Sequence, residues 1–479
     1  MTTIVDKIKD VELLKFTRSN YYDYGTSVLE DRAIPDYRDG LNPVMRRILW
    51  ATHDLGVTSK SKRVKSARTV GSVLGLFHPH GDTSVYGAMV GATQNQSVHA
   101  FIDGAGNWGN MSDTSFAAMR YTEMRLSKLI DAVCFDKFYI PIVDKVATYD
   151  GTTKEPLLLP SLLPLLFLNG KSGVAPGAKV DVPACTLDSL IKTLGKVYKG
   201  EELTPKLLYK TLKFTSKYGG SEVPIETDED RESRKSLFVT AKGSFKLSST
   251  WTVSKNIITV TKFANLSNME KLLESLLKHP LVKDARDDST KTDKYGTLTI
   301  VLKKGSTPED ADNVCKKYLV SKETCILNFT ERFIETDGQV RAKILNCSMT
   351  EVFKKWITWR TELEVLACSH WISDIDKQVK HLDLMCLAVD NRKLIIESLD
   401  KDLSQKDLEA WLADKLGISI QDSAVIYELR IKQLRRLEKD SLLEQKTKLL
   451  EQKKKLKDRK AKPHDYMFEQ LSAIQVAIG

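Results

Sequence analysis

Two long helical stretches, residues 350–398 and 423–460, set the strongest limit on what this 479-residue chain can build. In the first, Phe353, Trp356, Trp359 and Leu363 recur at spacings of three and four. In the second, Leu429, Leu434, Leu437, Leu442, Leu443, Leu449 and Leu450 recur less regularly. Each stretch therefore carries an apolar face that another element must cover. A shorter helical segment, Leu408 to Leu416, lies between them. Two antiparallel helices closed by a small globular tip make a lever or a dimerisation arm. The same pattern also fits an ordinary helical bundle.

The rest of the chain is long enough for about two further domains. Up to residue 150, short helical patterns alternate with Gly-rich turns. A helix starts at Pro43, with proline in its first turn; Val44, Ile48 and Trp50 mark its apolar side and leave Arg46 and Arg47 toward another face. Ser66 to Leu76 and Asp82 to Gln94 read as two more helices, separated by Phe77-His78-Pro79-His80-Gly81. Helix, basic turn, helix is compatible with a helix-turn-helix or winged-helix reader. The run from Leu157 to Leu168 is strongly apolar and broken by Pro160 and Pro164. Residues 236–240, 252–253, 257–261 and 297–302 look like strands and 269–278 like a helix, which predicts an α+β domain. Thr227 to Glu232 reads as a polar charged loop.

Hydrophobic residues make up 42% and charged residues 28%, the balance of an ordinary globular protein rather than a disordered one. No run of about 18 apolar residues predicts a membrane span, and the N-terminus lacks the apolar core of a signal peptide. Seven cysteines without a CxxC pair fit reduced cytosolic thiols and argue against a disulfide framework or a thiolate zinc site. The net charge of +10 matters less than its placement. Between Leu41 and Gly75, Arg46, Arg47, Lys60, Lys62, Arg63, Lys65 and Arg68 are opposed only by Asp54. A focused basic patch attracts polyanions, nucleic acid first among them; a solvated surface stretch is the plain alternative. The run Lys453 to Lys460 closes a helical pattern and reads as a solvated helix end. Gly170-Lys171-Ser172 resembles the end of a phosphate-binding loop, but Leu165 stands where its first glycine is required, so no ATP site is assigned there. His78-Pro79-His80 lacks further zinc ligands.

Arg120-Tyr121 carries the candidate chemistry. A tyrosine beside an arginine means little alone. Yet a phenolic oxygen can attack a phosphodiester and store its energy as a phosphotyrosine bond. Such a step needs cations where charge builds on the equatorial oxygens, and Arg120 is always charged.

Six ordered motifs then carry a resemblance. Arg32-Ala33-Ile34-Pro35-Asp36-Tyr37-Arg38-Asp39-Gly40 through Arg47, Ser66 to Gly71 with Phe77 to Asp82, Asp103 to Gly109, and Ala117-Ala118-Met119-Arg120-Tyr121-Thr122-Glu123 resemble the bacterial gyrase A and topoisomerase IV A subunits. Tyr149-Asp150-Gly151 and Asn169 to Gly177 extend the match, and Leu429 to Leu434 with Leu437-Glu438 looks like the helix near that family's exit gate. The resemblance implies the breakage-reunion subunit of an ATP-dependent type IIA topoisomerase. Tyr121 stands at the nucleophile position, Arg120 at that of its phosphate-stabilising neighbour, and Arg32 and His80 at positions near the same phosphate. Arg46, Arg47, Lys65, Ser66, Arg68 and His78 match DNA-backbone contacts, which position a duplex without reading its sequence. Val174 stands where the family wedges an isoleucine between base pairs; a strand-end core valine is the alternative. The implied fold is an α+β multidomain chain. It has a winged-helix breakage-reunion domain (1–150), an α/β tower (151–340), and a long antiparallel coiled coil with a globular dimerisation tip (341–479).

The resemblance has departures. Asn42 replaces a usual lysine, Met45 a histidine, and Pro176 a small apolar residue. Gly87 occupies an acidic position that helps to anchor quinolones, although Thr83 keeps a hydroxyl nearby. Weak quinolone sensitivity is expected; ciprofloxacin-stabilised cleavage at bacterial enzyme levels would overturn it. The short form looks like the medium subunit of phage-type topoisomerases, without the basic β-pinwheel that supports wrapping. No ATPase motif and no Toprim-like carboxylate cluster are evident: Asp287-Asp288 reads as a charged turn without a preceding strand. Mg²⁺ and ATP are therefore expected on a separate ATPase/Toprim subunit, with double-stranded DNA as substrate, no membrane partner, and a C2 homodimer inside a heterotetramer-like assembly to cut both strands. The expected location is the cytoplasm of a bacterium or of a phage-infected cell. Two rivals differ in class. A tyrosine recombinase would place its tyrosine near the C-terminus, and a non-catalytic DNA-binding structural protein would not need the Arg120-Tyr121 context.

Overall fold

The computed structural model describes residues 34–478 except 94–96, 111–113, 176–177, 225–226, 266–267, 291–292, 294, 400–403 and 429–438, together with residues 12–14, 17, 20 and 21. Arg32, Pro176 and the segment Leu429 to Glu438 lie outside the described residues. The chain is a mixture of helices and antiparallel sheets and divides into two compact units, residues 1–360 with 467–479, and residues 361–466.

The first unit opens with α1 (Pro43–Asp54), β1 (Val64–Lys65), α2 (Ser66–Leu76) and α3 (Asp82–Gly91). Next come β2 (Ile102–Ala105), β3 (Glu123–Leu126) and α4 (Lys128–Cys134). The three strands form one antiparallel sheet in the order β1-β3-β2. Pro43 sits in the first turn of α1, where its missing N–H is harmless. Ile48, Leu49 and Trp50 turn α1 inward. Arg46 also points inward rather than with Arg47, because a buried acid awaits it.

That acid belongs to the segment 34–41. Asp36 accepts from Arg38 and from the Arg332 backbone N–H at 2.8 Å. Asp39 is fully buried and accepts from Arg46 Nε at 2.6 Å and Nη2 at 2.9 Å, and from the backbone N–H of Leu41 and Leu159, both at 3.1 Å. Gly40 turns between them with φ +70°, and a Cβ there would lie 2.3 Å from the Leu166 nitrogen. Only glycine fits so close a backbone approach.

Two hairpins follow, β4 (Lys145–Ala147) with β5 (Lys154–Pro156), and, after α5 (Leu165–Asn169), β6 (Lys171–Ala175) with β7 (Ala178–Val182). The proline-broken run from Leu157 to Leu168 is buried throughout. Its irregular backbone is tolerated because neighbours such as Asp39 accept its N–H groups. Further along come β8 (Ala184–Cys185), α6 (Leu187–Tyr198), α7 (Pro205–Thr211), β9 (Phe214–Thr215), β10 (Ser221–Glu222), α8 (Asp228–Val239) and β11 (Lys242–Ser248). The order continues β12 (Thr250–Ser254), β13 (Ile257–Lys262), α9 (Met269–Leu277), β14 (Val282–Asp287), β15 (Leu298–Leu302), α10 (Pro308–Tyr318), β16 (Val320–Ile326), β17 (Asn328–Ile334) and β18 (Val340–Asn346). A seven-stranded sheet runs β6-β7-β16-β11-β10-β9-β8 and a four-stranded one β12-β13-β15-β14. Met269 and Leu276 of α9 and Val314 of α10 cover Ile258, Leu298 and Ile300 of the latter.

Three expectations fail here. Residues 236–240 are not a strand: 236–239 end α8, whose Leu237, Phe238 and Arg234 are buried. The supposed charged loop from Thr227 is the helix start, with the Thr227 side chain accepting from the Asp230 N–H and three acids in the first turn. Acids there complement the helix dipole, a signal that outweighs the β-propensity of Phe-Val-Thr. Likewise, Asp288 does follow a strand, β14. The two carboxylates are engaged locally, Asp287 by Ser289 and Asp288 by Arg286 at 3.1 Å.

The second unit is built on α11 (Met349–Asp390), which begins in the first unit. After it come α12 (Arg392–Leu399), α13 (Gln405–Leu416), α14 (Ile420–Tyr427), α15 (Lys439–Ala461) and α16 (Pro463–Ile478), which returns to the first unit. Within the second unit α11 and α15 are antiparallel. Lys439 pairs with Asp390 at 2.7 Å, Lys446 with Asp383 at 2.5 Å, Lys453 with Asp376, and Arg459 with Glu364. Leu382, Val389 and Leu442 form the seam. Ala388, Ile395, Leu412 and Ile426 bury a small separate core among α11 to α14.

Candidate functional site

The turn that carries Tyr121 is fixed by α2 and α3. Lys65 precedes α2 and gives no side-chain cap. Instead the first N–H groups of the helix are taken by the tyrosine turn, Ser66 N–H donating to Thr122 O at 3.1 Å and Ala67 N–H to Met119 O at 3.2 Å. The buried Thr122 hydroxyl bonds Ser66 Oγ and Tyr86 Oη, both at 2.8 Å, and Tyr86 Oη also donates to Ala117 O at 2.7 Å. Trp108 packs under Gly104, where a Cβ would come within 2.4 Å of its indole nitrogen. These contacts leave the backbone of the turn rigid and the side chain of Tyr121 65% exposed.

The Arg120 guanidinium carbon lies 4.7 Å from the centre of the Tyr121 ring. Hydrogen bonding from Arg120, and then its charge, holds the phenol below its ordinary value of 10. A phenol so placed ionises more readily and meets solvent directly, which suits a nucleophile.

A second cluster lies at the other end of α2. The Phe77 and His78 N–H groups close the helix onto Val73 O at 3.0 and 2.7 Å. The His78 and His80 rings stack 4.0 Å apart at 12°. Arg47 Nη1 lies 2.9 Å from His78 Nδ1, and the same guanidinium makes two 2.7 Å bonds to Glu155. An eleven-residue helix is about 16 Å long, so the histidine pair and the tyrosine turn are anchored roughly that far apart in one chain.

The candidate residues separate accordingly. Tyr121 and Arg120 come together, and so do Arg47, His78 and His80. Arg68 is exposed with no ion-pair partner among the described residues, and Lys65 is half-exposed and pairs with Glu123 at 3.0 Å. Two expected DNA contacts are corrected. Arg46 is 4% exposed and fully engaged by Asp39, so it has no charge left for a phosphate. Ser66 is buried against Thr122 and supports the tyrosine turn instead. Val174 is 73% exposed near the end of the β6–β7 hairpin, which removes the core alternative. The hairpin's base is clamped by Asn169, whose side chain bonds both the N–H and the C=O of His99 at 2.7 Å. Gly87 faces open space.

Thr122, Tyr86 and Glu155 escaped the sequence reading. Thr122 lies inside a matched motif and Tyr86 on the helix read from Asp82, but only the fold reveals their shared hydroxyl network. Glu155 stands 108 positions from Arg47, and no local spacing links them. Among the described residues no group of three or more His, Cys, Asp or Glu could hold a metal ion, and no helix is long and apolar enough to cross a membrane.

Comparison with known proteins adds an independent line. A family model for the A subunits of DNA gyrase and topoisomerase IV matches residues 32–472. The A subunit of DNA topoisomerase 4 from Salmonella typhimurium is 30% identical over 447 residues, covering 91% of this chain and 57% of the relative. The A subunit of the chloroplastic/mitochondrial DNA gyrase of Arabidopsis thaliana is 31% identical, covering 92% and 46%. The A subunit of a Streptococcus pneumoniae DNA gyrase is 31% identical, covering 90% and 52%. The chain thus spans about half the length of the curated relatives it matches.

Proposed function

The chain belongs to the family of DNA gyrase and topoisomerase IV A subunits, and on that premise we propose that it is the DNA cleavage-religation subunit of a type IIA topoisomerase, with Tyr121 as nucleophile. The observation that carries this reading is the exposed Tyr121 side chain on a rigid turn, with Arg120 against its ring. Tyr121 Oη attacks the scissile phosphorus and the bond to the 3′-oxygen breaks. Tyr121 gives up its phenol proton to solvent, the 5′-phosphate stays on the tyrosine, and the departing 3′-oxygen takes up a proton to become a hydroxyl; the reverse step reseals the strand. Arg120 offsets charge on the phosphoryl oxygens. Residues 1–150 act as the winged-helix breakage domain, 151–340 as the tower, and 341–479 as the coiled-coil arm with its dimerisation tip.

Within one chain the length of α2 separates His80 from Tyr121. A C2 dimer resolves this if His80 of one copy, with Arg32, serves the phosphate attacked by Tyr121 of the other. Arg47, Lys65, Arg68 and His78 hold the duplex backbone, and the exposed Val174 wedges between base pairs to bend it. Mg²⁺ and ATP are supplied by a separate ATPase/Toprim subunit, in the cytoplasm of a bacterium or of a phage-infected cell. The test is to mix the protein with end-labelled duplex, Mg²⁺ and that partner, quench with detergent, and look for protein on the 5′ ends. No attachment would favour the non-catalytic DNA-binding reading.

Arg68 supplies a milder check. Arg68→Ala should weaken binding about equally across DNA sequences and reduce the slope of log affinity against log salt by about 0.9. An unchanged slope in a salt titration would remove Arg68 from the interface.

A further inference from the structure

We propose that Glu155 is a positioning residue, which through Arg47 fixes the tautomer and aim of His78 and through the ring stack sets His80. This rests on the reading of both histidines as phosphate-facing groups. Glu155 comes from the β4–β5 hairpin and is nearly buried. Its carboxylate takes Arg47 Nε and Nη2 at 2.7 Å each, the bidentate arrangement that defines the plane of a guanidinium. With two of its nitrogens held, the third, Nη1, is directed at His78 Nδ1, 2.9 Å away.

A guanidinium has donors only. His78 Nδ1 must therefore accept, which makes the ring neutral and puts its proton on Nε2. The Nε2–H of His78 becomes a fixed donor, and the tautomer is chosen by a carboxylate acting through Arg47. The effect extends to His80, whose ring stacks on His78 at 4.0 Å and whose backbone N–H donates to His78 O at 2.8 Å. Any rotation of His78 displaces the surface against which His80 lies. Glutamine at 155 keeps the shape but accepts through one oxygen only, so Arg47 loses its second anchor.

The experiment uses full-length protein labelled with ¹⁵N-histidine, with Glu155→Gln and Glu155→Asp beside the wild type. Wild-type His78 should show an unprotonated Nδ1 and a protonated Nε2. E155Q should show a mixture of tautomers and, at saturating DNA, a fall in Tyr121-linked 5′ attachment of up to about 100-fold. E155D, which restores the charge, should recover part of both. A wild-type His78 protonated at Nδ1 overturns the proposal without recourse to any variant. E155Q with wild-type tautomer overturns it too, whatever its cleavage. If the wild type gives no Tyr121-dependent attachment, the topoisomerase reading fails, and the tautomer still reports on the Glu155–Arg47–His78 chain separately.

Discussion

Tyr121→Phe eliminates covalent attachment of the protein to DNA 5′ ends, a loss of at least roughly 10⁴-fold, because the variant removes the attacking oxygen itself. Little else should change. The ring stays, so Arg120 keeps its 4.7 Å face contact, and the turn is held by backbone bonds to Ser66 and Ala67 that do not involve the phenol. DNA affinity and melting temperature should therefore match the wild type. The measurement is detergent-quenched cleavage of labelled duplex with the ATPase/Toprim partner present. Full cleavage by the variant would sink the assignment of Tyr121.

The second large effect is on stability. Arg46→Ala leaves the Asp39 carboxylate fully buried without the guanidinium that neutralises it. Breaking a buried pair from one side destabilises by about 3–5 kcal/mol. Asp39 also holds the backbone of Leu41 and Leu159, so the damage reaches the proline-broken core segment. Denaturant titration should show a reduced midpoint for Arg46→Ala, whereas Arg47→Ala, whose side chain is partly solvent-exposed, should lose DNA affinity with a smaller change in stability. A variant at 46 that melts like the wild type yet binds DNA weakly would return Arg46 to the interface.

The contrast between Arg46 and Arg47 marks where the sequence stops being legible. Helix periodicity located α1 and α2 well, since proline in the first turn and apolar spacing are local signals. It could not tell which of two adjacent arginines meets an acid, because Asp39 reaches Arg46 only after the chain turns at Gly40. The same limit hid Glu155, which meets Arg47 across 108 positions, and the role of Ser66, which depends on Thr122 arriving from the turn before β3. The Arg120-Tyr121 pair was visible because the two residues are neighbours. Residues 236–239 were misread for a different reason: a β-branched, aromatic run closed a helix whose start signal lay in the acids after Thr227.

The ion pairs between α11 and α15 bear on how firmly that arm keeps its alignment. Lys439, Lys446 and Lys453 step forward by seven residues while Asp390, Asp383 and Asp376 step back by seven. Such a ladder is degenerate: sliding α15 by one heptad would match Lys446 to Asp390 and Lys453 to Asp383 and leave the attraction nearly intact. Arg459 and Glu364 break the count, lying six residues beyond Lys453 and twelve before Asp376. Glu364 is fully buried, so a slipped arm would strip a buried carboxylate of its guanidinium and lose about 3–5 kcal/mol. The three lysines thus act as an even rule along the arm, and the fourth pair as a notch that tells one setting of the rule from the next.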